Sequence, residues 1–240
     1  MPEEPRPPLQ VIAMHGWAAD SRCWQPWIER TETLEWRWEC GERGYGELTP
    51  LAPVWPENLP ANTRRVAIGH SLGPHFITPE VLQQANAVVL LASFGTFVPP
   101  DRPGRRVRMA LDGMAAKLDS QPEAKDMLRK FLTNATAPQP VDSLPAGPEN
   151  STLDLWRLRE DLTVLRACEG SPRGFPGDAR VLIVEAEDDR IVEPEARRLL
   201  RDSLPGADVI AFPGVGHALL AGDVIGRVVE WIEAWRAGEK

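Results

Sequence analysis

The chain has 240 residues, enough for one α/β domain with an inserted subdomain, and its 42% hydrophobic and 26% charged residues are ordinary for a globular protein. A net charge of −8 argues against general nucleic-acid binding and suits a soluble cytosolic protein. Cys23, Cys40 and Cys168 are widely spaced and read as reduced thiols. The acidic, Pro-rich start is not a secretory signal, and no apolar run approaches the roughly 18 residues a membrane helix needs.

The apolar run over 9–14 predicts a buried strand, ending in His15-Gly16-Trp17-Ala18-Ala19-Asp20-Ser21. Asp20 or Ser21 can cap a helix over about 22–32, with Trp24, Trp27 and Ile28 on one face. Alternation over 35–40 predicts a second strand, followed by a glycine-rich loop over 41–46. That loop lacks the Gly-Lys-Ser/Thr ending of a phosphate site. Pro50, Pro53, Pro56 and Pro60 exclude a long helix from the next stretch. A strand over 65–69 then runs into Gly69-His70-Ser71-Leu72-Gly73, and a helix is expected behind it, kinked or shortened at Pro79. The continuous apolar run over 87–92 is of the kind found in central parallel strands.

From about 97 to 170 the rhythm changes. Pro99-Pro100-Asp101-Arg102-Pro103-Gly104 reads as a break, with amphipathic helices over 105–119, 121–133 and 151–166 after it. Strand, loop and helix then return: a strand over 180–186, the loop Glu187-Asp188-Asp189-Arg190-Ile191-Val192, a helix from Pro194 to about 203, a strand over 207–212, the loop ending in His217, and a helix over about 222–236. Such alternation predicts a mostly parallel sheet with helices on both faces, whose site lies beyond the carboxyl ends of the strands. His15, Ser71, Asp189 and His217 all fall just after predicted strands.

The G-x-S-x-G pattern alone is expected by chance in roughly one chain of this length in ten. Its weight comes from its partners. A serine hydroxyl is a poor nucleophile at neutral pH unless a base takes its proton, and His217 is placed to do so. A carboxylate from the 187–189 loop would fix the imidazole tautomer. The backbone N–H groups of Leu72 and Trp17 are the expected oxyanion donors. His15 reads as a structural residue. His70 and His75, five apart, share no helix face, so no metal site is expected and no cofactor is implied.

His15-Gly16-Trp17, Gly69-His70-Ser71-Leu72-Gly73, the 187–192 loop and Gly216-His217-Ala218, in the order Ser…Asp…His, resemble the α/β-hydrolase family over nearly the whole chain. The resemblance implies an α/β-hydrolase core of residues 1–98 and 171–240 with a helical cap over 99–170. It also selects Asp189 over Asp188 through a D-x-x-V segment. Within the family the chain looks most like the esterases that demethylate pimeloyl-acyl-carrier-protein methyl ester in biotin synthesis. The residues behind this are Met14 to Trp24 and Ala92-Ser93-Phe94 with Phe97. His70 departs from that subfamily, which has tryptophan before the nucleophile.

The resemblance implies an acyl pocket lined by Trp17, Phe94 and Phe97. Residues 102–130 carry eight cations against four acids, a net of +4. Arg102, Arg105, Arg106 and Arg108 among them are candidates for docking an acidic acyl carrier protein. A general small-ester or thioester hydrolase, and a non-hydrolytic lyase or binding protein on the same fold, remain as rivals.

Overall fold

Strands β1 (Leu9–Met14), β2 (Arg37–Cys40), β3 (Arg64–His70), β4 (Ala87–Leu91), β5 (Arg180–Ala186) and β6 (Asp208–Phe212) form one sheet in the order β2-β1-β3-β4-β5-β6. Every pairing is parallel. The computed structural model describes residues 6–145, 147–220 and 222–238; the first five residues of the Pro-rich start lie outside them.

The apolar strands bury side chains on both faces. Val11, Val66, Val89, Leu91, Leu182 and Val184 pack with Trp24, Trp27 and Trp36, under helices α1 (Gln25–Thr31) and, last in the chain, Val224–Arg236. The alternate residues Ile12, Ala67, Val88, Leu90 and Ile183 pack on the other face with Val81, Leu82 and Leu200. Each such aliphatic side chain contributes about 1.5–3 kcal/mol on burial. Among the described residues, no helix is long and apolar enough to cross a membrane.

The expected helix behind the nucleophile turn is broken into two short pieces. A 3-10 turn spans Gly73–Phe76, and α2 is only Pro79–Leu82. Pro79 cannot donate an amide hydrogen bond and forces Thr78 into an extended conformation (ψ 148°), so a helix can restart there but not run through.

Between β4 and β5 the chain leaves the sheet for three helices, α3 (Asp101–Ala116), α4 (Gln121–Thr136) and α5 (Leu155–Ala167). The expected break at 99–104 is instead the start of α3. Pro100 is its N-cap and Pro103 falls in the first turn, where backbone N–H groups have no helical partner to lose. Leu111, Leu128, Leu158, Leu162 and Leu165 give these helices a core of their own, shared with Trp17 and Phe97. Trp156 alone of the tryptophans is largely exposed, at 66%. Helices α6 (Pro194–Ser203) and α7 (Val224–Arg236) complete the fold.

The sheet order itself places a crevice. From β1 the chain moves outward to β2, then crosses back to lay β3 on the other side of β1. Connections leaving the carboxyl ends of β1 and β3 therefore diverge to opposite sides, which opens a gap where ligands bind in such sheets. The segment Gly16-Trp17 follows β1 and Ser71 follows β3.

Candidate active site

Ser71 sits at the end of β3 with φ 54°, a left-handed conformation uncommon for a residue bearing a Cβ. Local contacts hold it there. Its N–H donates to the Leu91 carbonyl (2.9 Å), and its own carbonyl accepts from Ser93 Oγ (2.7 Å). The flanking glycines are required by space. A Cβ on Gly73 would lie 2.1 Å from the Met14 carbonyl oxygen, and one on Gly69 2.3 Å from Pro74 Cγ. A Cβ on Gly16 would lie 2.9 Å from Ser71 Cβ, so glycine there lets the loop after β1 close over the serine.

The other two groups come from the loops after β5 and β6. The His217 Nδ1–H donates to Asp189 Oδ2 at 2.8 Å, with both side chains buried. The remaining oxygen, Asp189 Oδ1, accepts from the amides of Ile191 (2.7 Å) and Val192 (2.9 Å). Burial pushes the Asp189 carboxyl up. The facing imidazole and the two amides outweigh it and hold the group below the usual aspartate value, so it is a carboxylate. A carboxylate can only accept. Nδ1 therefore carries the ring proton, and Nε2 of the neutral ring carries a lone pair. Asp188, by contrast, has an exposed side chain, and its backbone N–H donates to the Val215 carbonyl.

His70 braces the loop of His217: its Nε2–H donates to the His217 carbonyl at 3.0 Å, and the two rings are 5.1 Å apart. Burial, with the neighbouring imidazole, lowers the His70 pKa to about 4. His75 bonds the Phe94 carbonyl (2.9 Å) and stacks on its ring. His15 is structural as expected: its ring bonds the Gly16 carbonyl (2.9 Å) and accepts from the Arg43 amide (3.1 Å). Among the described residues, the backbone N–H groups of Trp17 and Leu72 and the Ser71 hydroxyl have no protein partner.

A cavity of about 680 Å³ opens above Ser71, roofed by α3 and α4. Trp17, Phe97, Leu111, Met127, Phe131 and Ile191 make its wall apolar. Phe94 is not on that wall. It is fully buried behind Phe97 (ring centroids 4.8 Å apart), its other side taken by His75. The rim is charged, and Arg106 stands on it paired with Glu193.

The sequence pattern alone misses what ties the helical insertion to the core. Asp161 of α5 is buried and accepts two bonds from the Arg43 guanidinium (2.9 and 2.6 Å) and one from the Tyr45 hydroxyl (2.6 Å). Burial, then the charge of Asp161, pushes the Tyr45 pKa far up, so its hydroxyl stays a donor. The Arg43 guanidinium also lies 4.1 Å over the Phe76 ring. The Trp17 indole N–H reaches the Leu158 carbonyl of α5 (2.9 Å), and the Ala218 amide reaches the Ala135 carbonyl of α4 (2.9 Å). The segments bearing Trp17 and His217 are thus both anchored to the insertion.

The sequence matches the profile of the Alpha/beta hydrolase family over residues 11–231. The chain belongs to the alpha/beta hydrolase family. No curated protein matches it significantly. Among solved structures, the esterase EaEST from Exiguobacterium antarcticum superposes with a TM-score of 0.69 at 16% identity, covering 98% of this chain and 94% of that one. A carboxylesterase of the thaumarchaeon Nitrososphaera gargenis gives a TM-score of 0.70 at 11% identity, covering 96% and 92%. MenH from S. aureus gives 0.64 at 14% identity, covering 96% and 95%. At these identities the likeness carries the fold alone, a six-stranded parallel sheet with helices, and in this chain three helices lie between β4 and β5.

Proposed function

We propose that the protein is a serine ester hydrolase that works through an acyl-enzyme. The observations carrying this reading are the His217–Asp189 pair, bonded at 2.8 Å, a positive-φ serine that lines an apolar cavity, and the bond from His70, the residue before that serine, to the His217 carbonyl at 3.0 Å. Ser71 Oγ attacks the ester carbonyl while its proton passes to His217 Nε2. The oxyanion so formed is held by the N–H groups of Trp17 and Leu72, each worth about 3 kcal/mol in the transition state. The His217 imidazolium then protonates the leaving alcohol, and the acyl group stays on Ser71. A water molecule, deprotonated by His217, attacks the acyl carbonyl and releases the acid and free Ser71. Asp189 keeps the ring oriented and stabilises its charged form.

Two measurements on the wild-type protein test this. It should hydrolyse p-nitrophenyl butyrate, and an activated alkyl phosphonate should add its mass to the peptide holding Ser71. A phosphonate adduct elsewhere, with turnover intact, would remove Ser71 from the mechanism.

For the substrate, we propose the methyl ester of a pimeloyl group held on acyl carrier protein. The residues from Met14 to Trp24, the apolar cavity and the cations of α3 support this. Arg102, Arg105 and Arg108 are exposed, whereas Arg106 is paired with Glu193 at 3.1 Å, so the first three are the available docking cations. Turnover of the carrier-bound ester should fall severalfold between 50 and about 300 mM salt, because docking between exposed charges is screened. The double substitution Arg105→Glu with Arg108→Glu should lower it further, mainly through KM. Equal salt response for carrier-bound and free ester would favour a small-ester hydrolase that needs no carrier.

A further inference from the structure

We propose that Arg190 selects substrates bearing an oxyanion, a carboxylate or a phosphate ester, at the end remote from the scissile bond. This deepens the ester-hydrolase reading and rests on it for the position of the scissile bond. The cavity rim carries the cations Arg106, Lys117, Lys130 and Arg190. Three of them are neutralised locally: Arg106 by Glu193 (3.1 Å), Lys117 by Glu123 (3.0 Å) and Lys130 by Asp126 (2.7 Å). Those three acids are also the acids of the rim. Among the described residues Arg190 has no ion pair and no hydrogen bond, so the rim keeps one uncompensated guanidinium.

Its position gives that charge a use. Arg190 is exposed, and it lies in sequence between Asp189, which holds the base, and Ile191, which is on the apolar wall. Ser71 lines the same cavity but is buried. A ligand reaching Ser71 therefore has an apolar stretch to run along and a cation at the open end. An acyl chain of methylenes with a terminal oxyanion fits that sequence of environments. A purely aliphatic chain leaves Arg190 unused, and a terminal ammonium meets the wrong sign. Guanidinium presents a planar fork of N–H donors that suits either carboxylate or phosphate.

The test compares two p-nitrophenyl esters of equal acyl length, the neutral hexanoate and the ω-carboxylate adipate half-ester. Arg190→Gln should lower the ratio of kcat/KM for the half-ester over the hexanoate by roughly tenfold, through KM, since a charge-assisted bond at an open rim is worth about one power of ten. Arg190→Lys should retain most of the ratio, and Arg190→Glu should lower it beyond Arg190→Gln. A third ester ending in an ω-phosphate separates the two sources of oxyanion: the one whose rate depends more on Arg190 is the preferred class. Binding of adipate against hexanoate, by calorimetry, reads the same preference without turnover. A wild-type protein that hydrolyses no ester, yet loses its adipate preference on Arg190→Gln, would end the hydrolase reading and leave this one standing. Ratios and affinities unchanged in both Arg190→Gln and Arg190→Glu overturn the proposal.

Discussion

Ser71→Ala is expected to lower kcat on p-nitrophenyl butyrate by at least about 10⁴-fold, a loss of more than about 5 kcal/mol of transition-state stabilisation. The residual rate is what oriented binding and the oxyanion donors give to attack by water. Stability should hardly move, with Tm within about 2 °C of wild type. The hydroxyl has no hydrogen bond to protein among the described residues, so its removal leaves no partner stranded. Alanine carries the same Cβ and bears the same strain at φ 54°. Ser71→Gly makes the complementary point, because glycine adopts positive φ without the steric cost of a Cβ. That variant should melt higher than Ser71→Ala while being as inactive. A Ser71→Ala protein that stays folded and retains more than a tenth of wild-type turnover would sink the acyl-enzyme mechanism.

Most of the frame was legible in the sequence because it rests on local rules. Runs such as Ala87–Leu91 and 181–184 within β5 bury side chains on both faces, so their continuous apolar character marks them as interior parallel strands. Pro194 opens α6, which ends at Ser203, as the residues predict. Glycines around Ser71 are dictated by close backbone approach, which is why so short a pattern carries structural information. The misreadings come from prolines. A proline reads as a helix stop in the sequence, yet both Pro103, in the first turn of α3, and Pro79, which opens α2, stand where a helix begins.

What was not legible are the contacts between remote segments. Arg43 and Asp161 are 118 residues apart, and neither has a local motif. One hint existed: Asp161 falls on the buried stripe of Leu158, Leu162 and Leu165, where an acid must find a partner or lose its charge. Phe94 illustrates the reverse limit. Both aromatic residues after β4 face the right end of the sheet, but only the packing of His75 decides that Phe97 lines the cavity and Phe94 supports it from behind. The anchoring of both the Trp17 and the His217 segments to the helical insertion follows from the same remote contacts. It makes the insertion part of the site's construction as well as its roof.

Asp189→Asn is expected to lower kcat by about 10³–10⁴-fold, and Asp188→Asn by less than about threefold. The difference follows from hydrogen-bond direction. At position 189 one oxygen accepts from the amides of Ile191 and Val192 and the other from His217 Nδ1–H. Asparagine must turn its single carbonyl oxygen toward the two amides, since its NH₂ has nothing there to donate to. That places the NH₂ against Nδ1, which must then accept, and the ring proton moves to Nε2. The base loses the lone pair that Ser71 needs, with the fold intact. The same substitution reads the carboxyl's own titration. The Asp189 pKa is depressed on folding, so its charged form adds stability that is fully present above the unfolded pKa of roughly 4 and is lost as pH falls through the lower folded value. The stability gap between wild type and Asp189→Asn should therefore narrow as pH falls below about 4, as read by denaturant unfolding at a series of pH values. A gap that widens below about pH 4 would mean that folding raises the Asp189 pKa, and the assignment of Nδ1 as the protonated nitrogen of His217 would fall with it.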